Sequence, residues 1–225
     1  MIVEKVLPNI YRIRESDKSE DLLDRYQLIS MPDSAQVLRP ESDYHWENGT
    51  LRFDMDDGFR FEMVIQGARD SAPWDEYARG FEQSFAELQL NHKIKGRPDT
   101  VRDIKTERKN SKSRNSHFGI MIPIQTEEDF YGLGEAARDS LNLRGGEYQN
   151  WAKYQFDEIP IPFVMSTAGW GILINASGRH YVDIGKRHPD RMVVMGNEDE
   201  LDFFLFRGKT LQDLLRCYTP ISKFS

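Results

Sequence analysis

The sequence lacks several features that mark common classes of protein. Its single cysteine, Cys217, excludes an internal disulfide and a cysteine-based zinc site. No apolar run approaches the roughly 20 residues of a transmembrane helix, so we expect no membrane span. The five histidines are far apart, and no G-x-G-x-x-G, P-loop or H-E-x-x-H motif is present. We therefore expect neither a metal nor a cofactor.

The chain also lacks an excess of positive charge. The 225 residues include 30 Lys and Arg against 37 Asp and Glu, which gives a formal net charge of −7. An acidic chain without a basic block is a poor candidate for binding nucleic acid. The first residues, MIVEKVLPNIYRIRESDKSED, become charged too early for a signal peptide, so a cytoplasmic location is expected.

Alternation of polar and apolar residues is the dominant pattern. Residues 50–55 and 60–66 alternate on either side of Asp56-Asp57-Gly58, which is a strong hairpin signal. Further candidate strands cover residues 10–14, 26–30, 117–124, 162–166, 171–175, 180–184, 192–195 and 201–206. Many short strands separated by turn residues predict an all-β fold, either an antiparallel β-sandwich or a barrel.

Helical patterns are few. Leu211, Leu214, Leu215 and Tyr218 recur at helical spacing, and Thr210 is a candidate N-cap with Asp213 three residues later. These residues predict a short C-terminal helix with one apolar face. Residues 74–90 fit a helix or a strand, and residues 101–106 form a weak strand candidate before a polar loop.

Aromatic and acidic side chains come together between residues 148 and 158. Trp151, Tyr154 and Asp157 stand just before the proline-braced segment 159–162. Aromatic rings stack on the apolar faces of sugars and acids accept hydroxyl hydrogen bonds, so this loop could form a carbohydrate surface. Burial of Trp151 and Tyr154 in the core is the alternative, and composition alone favours it.

Two other groups of residues could carry chemistry. A mutarotase-like reaction needs a histidine and a carboxylate on one sugar. His117 and His180 both fall in predicted strands, where a structural role is the commoner one. Cys217 adjoins the apolar helix face and is interpreted as a small buried side chain rather than a nucleophile.

Ordered motifs in the second half of the chain resemble the N-terminal β-sandwich of family 31 glycoside hydrolases, the α-glucosidase and α-xylosidase group. The residues that carry the resemblance are FYGLGE at 130–135, LRG at 143–145, Tyr148 with Trp151, IPIPFVMS at 159–166, GWGILIN at 169–175, SGR at 177–179 and the stretch 203–215. Each motif alone is weak, but seven in the family's order make the match specific.

The resemblance implies a galactose-mutarotase-like β-sandwich over residues 1–208, with residues 209–225 as a helix and linker toward a catalytic (β/α)8 barrel. In that family the barrel holds the aspartate nucleophile and the aspartate acid/base of a retaining hydrolase. This chain contains no segment like the family's W-x-D-M-N-E. The chain is therefore expected to be the non-catalytic N-terminal domain of a larger α-glycosidase, with its own barrel and an α-linked sugar as partners.

The resemblance also suggests substrate contacts. Many family members read W-N-T-D where this chain reads Trp151-Ala152-Lys153-Tyr154. Asp157 could replace the missing aspartate, and Lys153 could pair with an anionic sugar. We expect Trp151, Lys153, Tyr154 and Asp157 to bind substrate. A stand-alone carbohydrate-binding or structural module, and a mutarotase-type epimerase that uses a strand histidine, remain as alternatives.

Overall fold

A computed structural model describes residues 1–15, 44–54, 58–66, 77, 118–135, 138–150, 161–175, 180–196 and 201–222. The described residues form two antiparallel β-sheets and one short helix near the C-terminus, which confirms the predicted all-β sandwich. The strand predicted at 26–30 and the elements expected within 74–90 and 101–106 lie outside the described residues, apart from Tyr77.

Thirteen strands are described. In chain order they are β1 (Ile2–Leu7), β2 (Ile10–Arg14), β3 (Tyr44–Glu47), β4 (Thr50–Asp54), β5 (Arg60–Gln66), β6 (Phe118–Pro123), β7 (Phe130–Gly132), β8 (Gly146–Asn150), β9 (Phe163–Ser166), β10 (Trp170–Ile174), β11 (His180–Ile184), β12 (Arg191–Gly196) and β13 (Asp202–Arg207). Nine of them fall where sequence alternation predicts strands, including the β4–β5 hairpin. Strands β1, β3, β7 and β8 are additional.

The strands divide into two sheets. The first sheet has six strands in the order β1-β2-β13-β10-β9-β7, and the second has seven in the order β3-β4-β5-β6-β12-β11-β8. The first sheet joins the two ends of the described chain, because β2 pairs with β13 and Phe203 lies opposite Ile13.

The main core lies between the two sheets. Alternate residues of β13, such as Phe203 and Leu205, face alternate residues of the second sheet, such as Leu51 and Phe53, and all four are at most 1% exposed. The rings of Tyr11 and Phe53 meet edge to face with centroids 5.2 Å apart. Strand alternation therefore places one apolar set of residues from each sheet in the shared core.

The first sheet also buries its outer face. The helix α1 (Leu211–Tyr218) packs there, with Leu214 fully buried against Phe204, Phe206 and Leu173. Burial on both faces explains why β10 and β13 read as continuous apolar runs rather than alternating ones.

The predicted helix start at Thr210 is confirmed. The Thr210 hydroxyl oxygen accepts a hydrogen bond from the Asp213 amide at 3.2 Å, and the Asp213 carboxylate accepts one from the Thr210 amide at 3.1 Å. This reciprocal pair is a capping box, which satisfies amides that the first helical turn leaves without partners. The helix has eight residues, and no helix in the described ranges is long and apolar enough to cross a membrane.

Two buried ion pairs lie on strands β1, β2 and β13. The Arg12 guanidinium donates to both carboxylate oxygens of Asp202 at 2.9 and 2.6 Å. Arg14 donates in the same way to Glu4 at 2.9 and 2.7 Å. Asn175 adds a third donor to Asp202 at 2.7 Å. All four charged residues are at most 7% exposed, so the pairs make the strand order β1-β2-β13 specific through charge as well as through the backbone.

Removing one partner of the Arg12–Asp202 pair should destabilise the fold strongly. We expect Asp202→Ala to lower the free energy of unfolding by about 3–5 kcal/mol, because the buried Arg12 guanidinium would lose the carboxylate that accepts two of its hydrogen bonds. The measurement is equilibrium urea unfolding. The control is Glu62→Ala, which breaks the Arg52–Glu62 pair of 2.6 Å between side chains that are 55% and 44% exposed. Water screens that pair, so equal losses in the two variants would contradict the interpretation.

Candidate functional site

A groove lies on the outer face of the first sheet. It lies between the β7–β9 edge and helix α1, and its volume is about 470 Å³. Most of its wall is apolar, from Tyr131, Leu141, Ile161, Phe163, Met165, Leu215 and Tyr218. Polar groups enter at one side, from Glu135, Arg138 and Ser140.

One wall is an unusual turn at the end of β7. Gly132, Leu133 and Gly134 have φ angles of 123°, 60° and 72°, three left-handed residues in succession. Leu133 is 2% exposed because its side chain enters the main core. Its amide donates to the Phe163 carbonyl at 2.8 Å. Burial and this hydrogen bond hold a backbone conformation that a leucine rarely adopts.

Helix α1 supplies the opposite wall. Tyr218 stacks on Phe163 with ring centroids 4.6 Å apart and an interplanar angle of 13°. Leu215 is 46% exposed on the groove side of the helix, and Leu141, across the groove, is 87% exposed. Large apolar side chains with this much exposure around a groove are typical of a surface that contacts another macromolecule.

The residues predicted to contact sugar, Trp151, Lys153, Tyr154 and Asp157, lie outside the described residues. Their neighbours on both sides are described. Strand β8 ends at Asn150 on the edge of the second sheet, and Ile161, directly after the undescribed segment, lines the groove. In the sequence, the predicted sugar contacts therefore fall between a strand at the edge of the second sheet and a residue that lines the groove.

Of the two histidines considered for a mutarotase-like reaction, only His180 lies among the described residues. His117 lies outside the described residues. His180 is 3% exposed in β11, with its ring 6.1 Å from that of Phe118. A buried ring of this kind has no access to a sugar, which agrees with the structural role that the sequence favours for a strand histidine.

A second polar cluster, not anticipated from the sequence, lies on the second sheet. The Tyr181 hydroxyl donates to Glu147 at 2.7 Å and accepts from Arg187 Nε at 3.2 Å. Arg187 also lies 3.7 Å from the buried Asp183 carboxylate and over the Tyr77 ring. Burial raises the pKa of Tyr181 well above its usual range, and the hydrogen bond to Glu147 adds to the rise. Burial also raises the pKa of Asp183, against the backbone amides of residues 186 and 187, which lower it.

The chemistry available to the groove is limited. Glu135 is the only carboxylate among its described lining residues, whereas hydrolysis of a glycosidic bond requires two carboxyl groups on either side of the bond. The described ranges contain no group of three or more His, Cys, Asp and Glu side chains placed to hold a metal ion.

A family model matches most of the chain. The model describes the glycosyl hydrolase 31 N-terminal galactose mutarotase-like domain, and the match covers residues 6–183. Among curated relatives, the α-xylosidase XylQ of Lactiplantibacillus pentosus is 25% identical over 122 residues, which is 50% of this chain and 15% of the relative. An α-glucosidase of Saccharolobus solfataricus is 24% identical over 109 residues, 44% of this chain and 16% of the relative.

Solved structures share the fold. A GH31 dextranase from Flavobacterium johnsoniae, complexed with glucose, aligns with a TM-score of 0.55 at 14% identity and covers 98% of this chain and 25% of that one. A GH31 α-xylosidase from a soil metagenome, complexed with xylose, gives 0.52 at 14% identity and covers 98% and 32%. This chain therefore spans about a sixth of these curated relatives and a quarter to a third of these solved chains.

Position 132 should not accommodate a side chain without a loss of stability. A Cβ on Gly132 would lie 2.2 Å from the Phe163 carbonyl oxygen, whereas one on Gly145, also left-handed at φ 75°, meets no described atom within 4 Å. We expect Gly145→Ala to lower the free energy of unfolding by about 1 kcal/mol, from backbone conformation alone. Gly132→Ala should cost about 3 kcal/mol, because steric overlap adds to the same penalty. Urea unfolding of both variants checks this, and equal costs would contradict it.

The Tyr181 cluster predicts a stability change at alkaline pH. The folded-state pKa of Tyr181 is raised, so its contribution is complete below the usual tyrosine value of about 10 and is lost as pH rises above it. In the wild type, the free energy of unfolding should therefore fall with pH above about 10. We expect Tyr181→Phe to reduce the slope of this fall by up to about 1.4 kcal/mol per pH unit, which corresponds to one proton. Urea unfolding at several alkaline pH values is the measurement.

Glu147→Gln serves as the comparison for Tyr181→Phe. It should keep most of the alkaline slope, because burial, the larger cause of the raised pKa of Tyr181, remains. Identical slopes in the wild type and Tyr181→Phe would refute the assignment.

Proposed function

The chain belongs to the family of glycosyl hydrolase 31 N-terminal galactose mutarotase-like domains, and from this premise we propose that it is the accessory domain of a retaining α-glycosidase. In this proposal residues 1–208 are the sandwich, and residues 209–225 lead to a catalytic (β/α)8 barrel. The family match over residues 6–183 is the observation that carries the proposal. The named α-xylosidase and α-glucosidase relatives, several times longer than this chain, support it.

The groove is consistent with an accessory domain whose catalytic groups lie in the barrel. A retaining mechanism needs two carboxyl groups about 5–5.5 Å apart, and the groove has only Glu135 among its described lining residues. Its apolar wall instead suits docking, and we place the catalytic barrel against it. Leu141 and Leu215, 87% and 46% exposed, would be covered by that contact. Such a contact would remove the cost of leaving large apolar side chains in water.

Substrate binding is assigned to the segment that ends at the groove. We propose that Trp151 and Tyr154 stack on the sugar, that Asp157 accepts hydroxyl hydrogen bonds, and that Lys153 pairs with an anionic group where the sugar carries one. Ile161, at the end of this segment, lines the groove, so the segment would reach the sugar beside the docked barrel. We also propose a cytoplasmic location, where the single cysteine of the chain would stay reduced.

The test compares this chain with the full-length protein encoded by its gene. We expect the 225-residue chain to leave an aryl α-glycoside intact, and the full-length protein to hydrolyse it with retention of configuration. In the full-length protein, Trp151→Ala and Asp157→Asn should each raise KM about tenfold, as for loss of a contact worth about 1.4 kcal/mol.

Trp46→Ala is the control, because it removes a tryptophan that is 40% exposed on the β3 edge of the second sheet. It should keep the wild-type KM. Hydrolysis by the 225-residue chain, or a reading frame that ends at Ser225, would overturn the accessory role. Equal KM values in all variants would overturn only the substrate contacts.

A further inference from the structure

Arg138 makes an uncommon set of contacts at the groove. Its Nη1 donates to the carbonyls of Gly132 at 3.0 Å and Gly134 at 3.3 Å, and its Nη2 donates to the carbonyl of Leu133 at 3.0 Å. Three successive left-handed residues thus direct their carbonyls to one guanidinium. None of these contacts is to a carboxylate, so the positive charge of Arg138 is used to fix backbone.

The guanidinium suits this role because it is planar and carries five donors in a fixed fork, always charged. Charge-assisted hydrogen bonds are stronger than neutral ones, so one guanidinium can hold the three carbonyls of this turn. Arg138 therefore stabilises a turn whose backbone conformation is unfavourable by itself, together with the buried side chain of Leu133.

The same guanidinium connects this turn to the second sheet. It lies over the Tyr148 ring, 5.5 Å from the centroid, and the Tyr148 hydroxyl donates to the Leu143 carbonyl at 2.9 Å. On its other side, the turn binds β9 through the hydrogen bond from Leu133 to Phe163. Tyr148 lies in β8, which precedes the segment that the proposed function assigns to sugar binding, and Phe163 begins β9, which follows it.

We propose that Arg138 is a positioning residue that fixes the spacing between the two flanks of this segment, Tyr148 in β8 and Phe163 in β9. The inference rests on the proposed function for the identity of the substrate, an α-linked sugar. Arg138 touches neither the sugar nor the reacting atoms in this scheme. It acts through the Gly132–Gly134 turn and through Tyr148.

Arg144 provides a matched control. It is also an arginine whose guanidinium caps carbonyls, donating to Glu128 at 2.8 Å and to Pro189 at 3.0 Å. Neither carbonyl belongs to the Gly132–Gly134 turn or to the described lining of the groove. Arg144→Ala should therefore reproduce a general loss of stability without changing the two flanks.

The first measurement uses the 225-residue chain and amide hydrogen exchange. The Leu133 amide reports on the turn, because it donates to Phe163. We expect Arg138→Ala to speed exchange of this amide about tenfold relative to Arg144→Ala. Arg138→Lys should restore only part of the protection, because an ammonium keeps the charge but places all its donors on one nitrogen. Unchanged exchange in Arg138→Ala would overturn the inference whatever the enzyme does.

The second measurement uses the full-length protein and an aryl α-glycoside. Arg138→Ala should raise KM about tenfold with kcat within about twofold, Arg138→Lys should recover part of this loss, and Arg144→Ala should keep the wild-type KM. A wild-type KM in Arg138→Ala, or an equal rise in Arg144→Ala, would overturn the positioning role. A wild-type protein without hydrolase activity would instead refute the proposed function, and hydrogen exchange alone would then decide whether Arg138 holds the turn.

Discussion

The six-stranded sheet has to be covered on both faces, and the rest of the molecule follows from that requirement. Its inner face is buried by the second sheet, and much of its outer face by helix α1 and by the paired charges of Arg12, Arg14, Glu4 and Asp202. Apolar burial supplies most of the driving force, while the ion pairs specify which strands are neighbours. Where the cover by α1 ends, at the β7–β9 edge, the sheet leaves apolar side chains at the surface, and the groove begins there.

Much of this fold could be predicted from the sequence. The β4–β5 hairpin was predictable because a turn joins two alternating runs, and α1 because its apolar spacing and capping residues agree. Strand β7 has only three residues, too few to show alternation. Strand β8, GEYQN, is largely polar because it forms an edge of the second sheet. Pairing with a neighbour, which no local pattern encodes, makes these two segments strands.

The candidate site was less accessible to sequence reasoning. The motif at 130–135 indicates the family through its letters, but the three left-handed residues inside it are a property of the folded backbone. Arg138 is separated from that motif by two residues and looks like any surface arginine until its donors are located. The buried pair of Arg12 and Asp202, 190 residues apart in sequence, gives no local signal either. A single sequence contains the residues of such contacts but not their distances.

The pairing of β2 with β13 has a consequence for synthesis of the chain. The β1–β2 hairpin leaves the ribosome before its partner strand β13, which follows about 190 residues later. At 5–20 residues per second, the hairpin waits roughly 10 to 40 s with an apolar edge open to other chains. During that interval the nascent polypeptide depends on dilution or on chaperones to avoid aggregation, and translation speed across residues 15–201 becomes a determinant of yield.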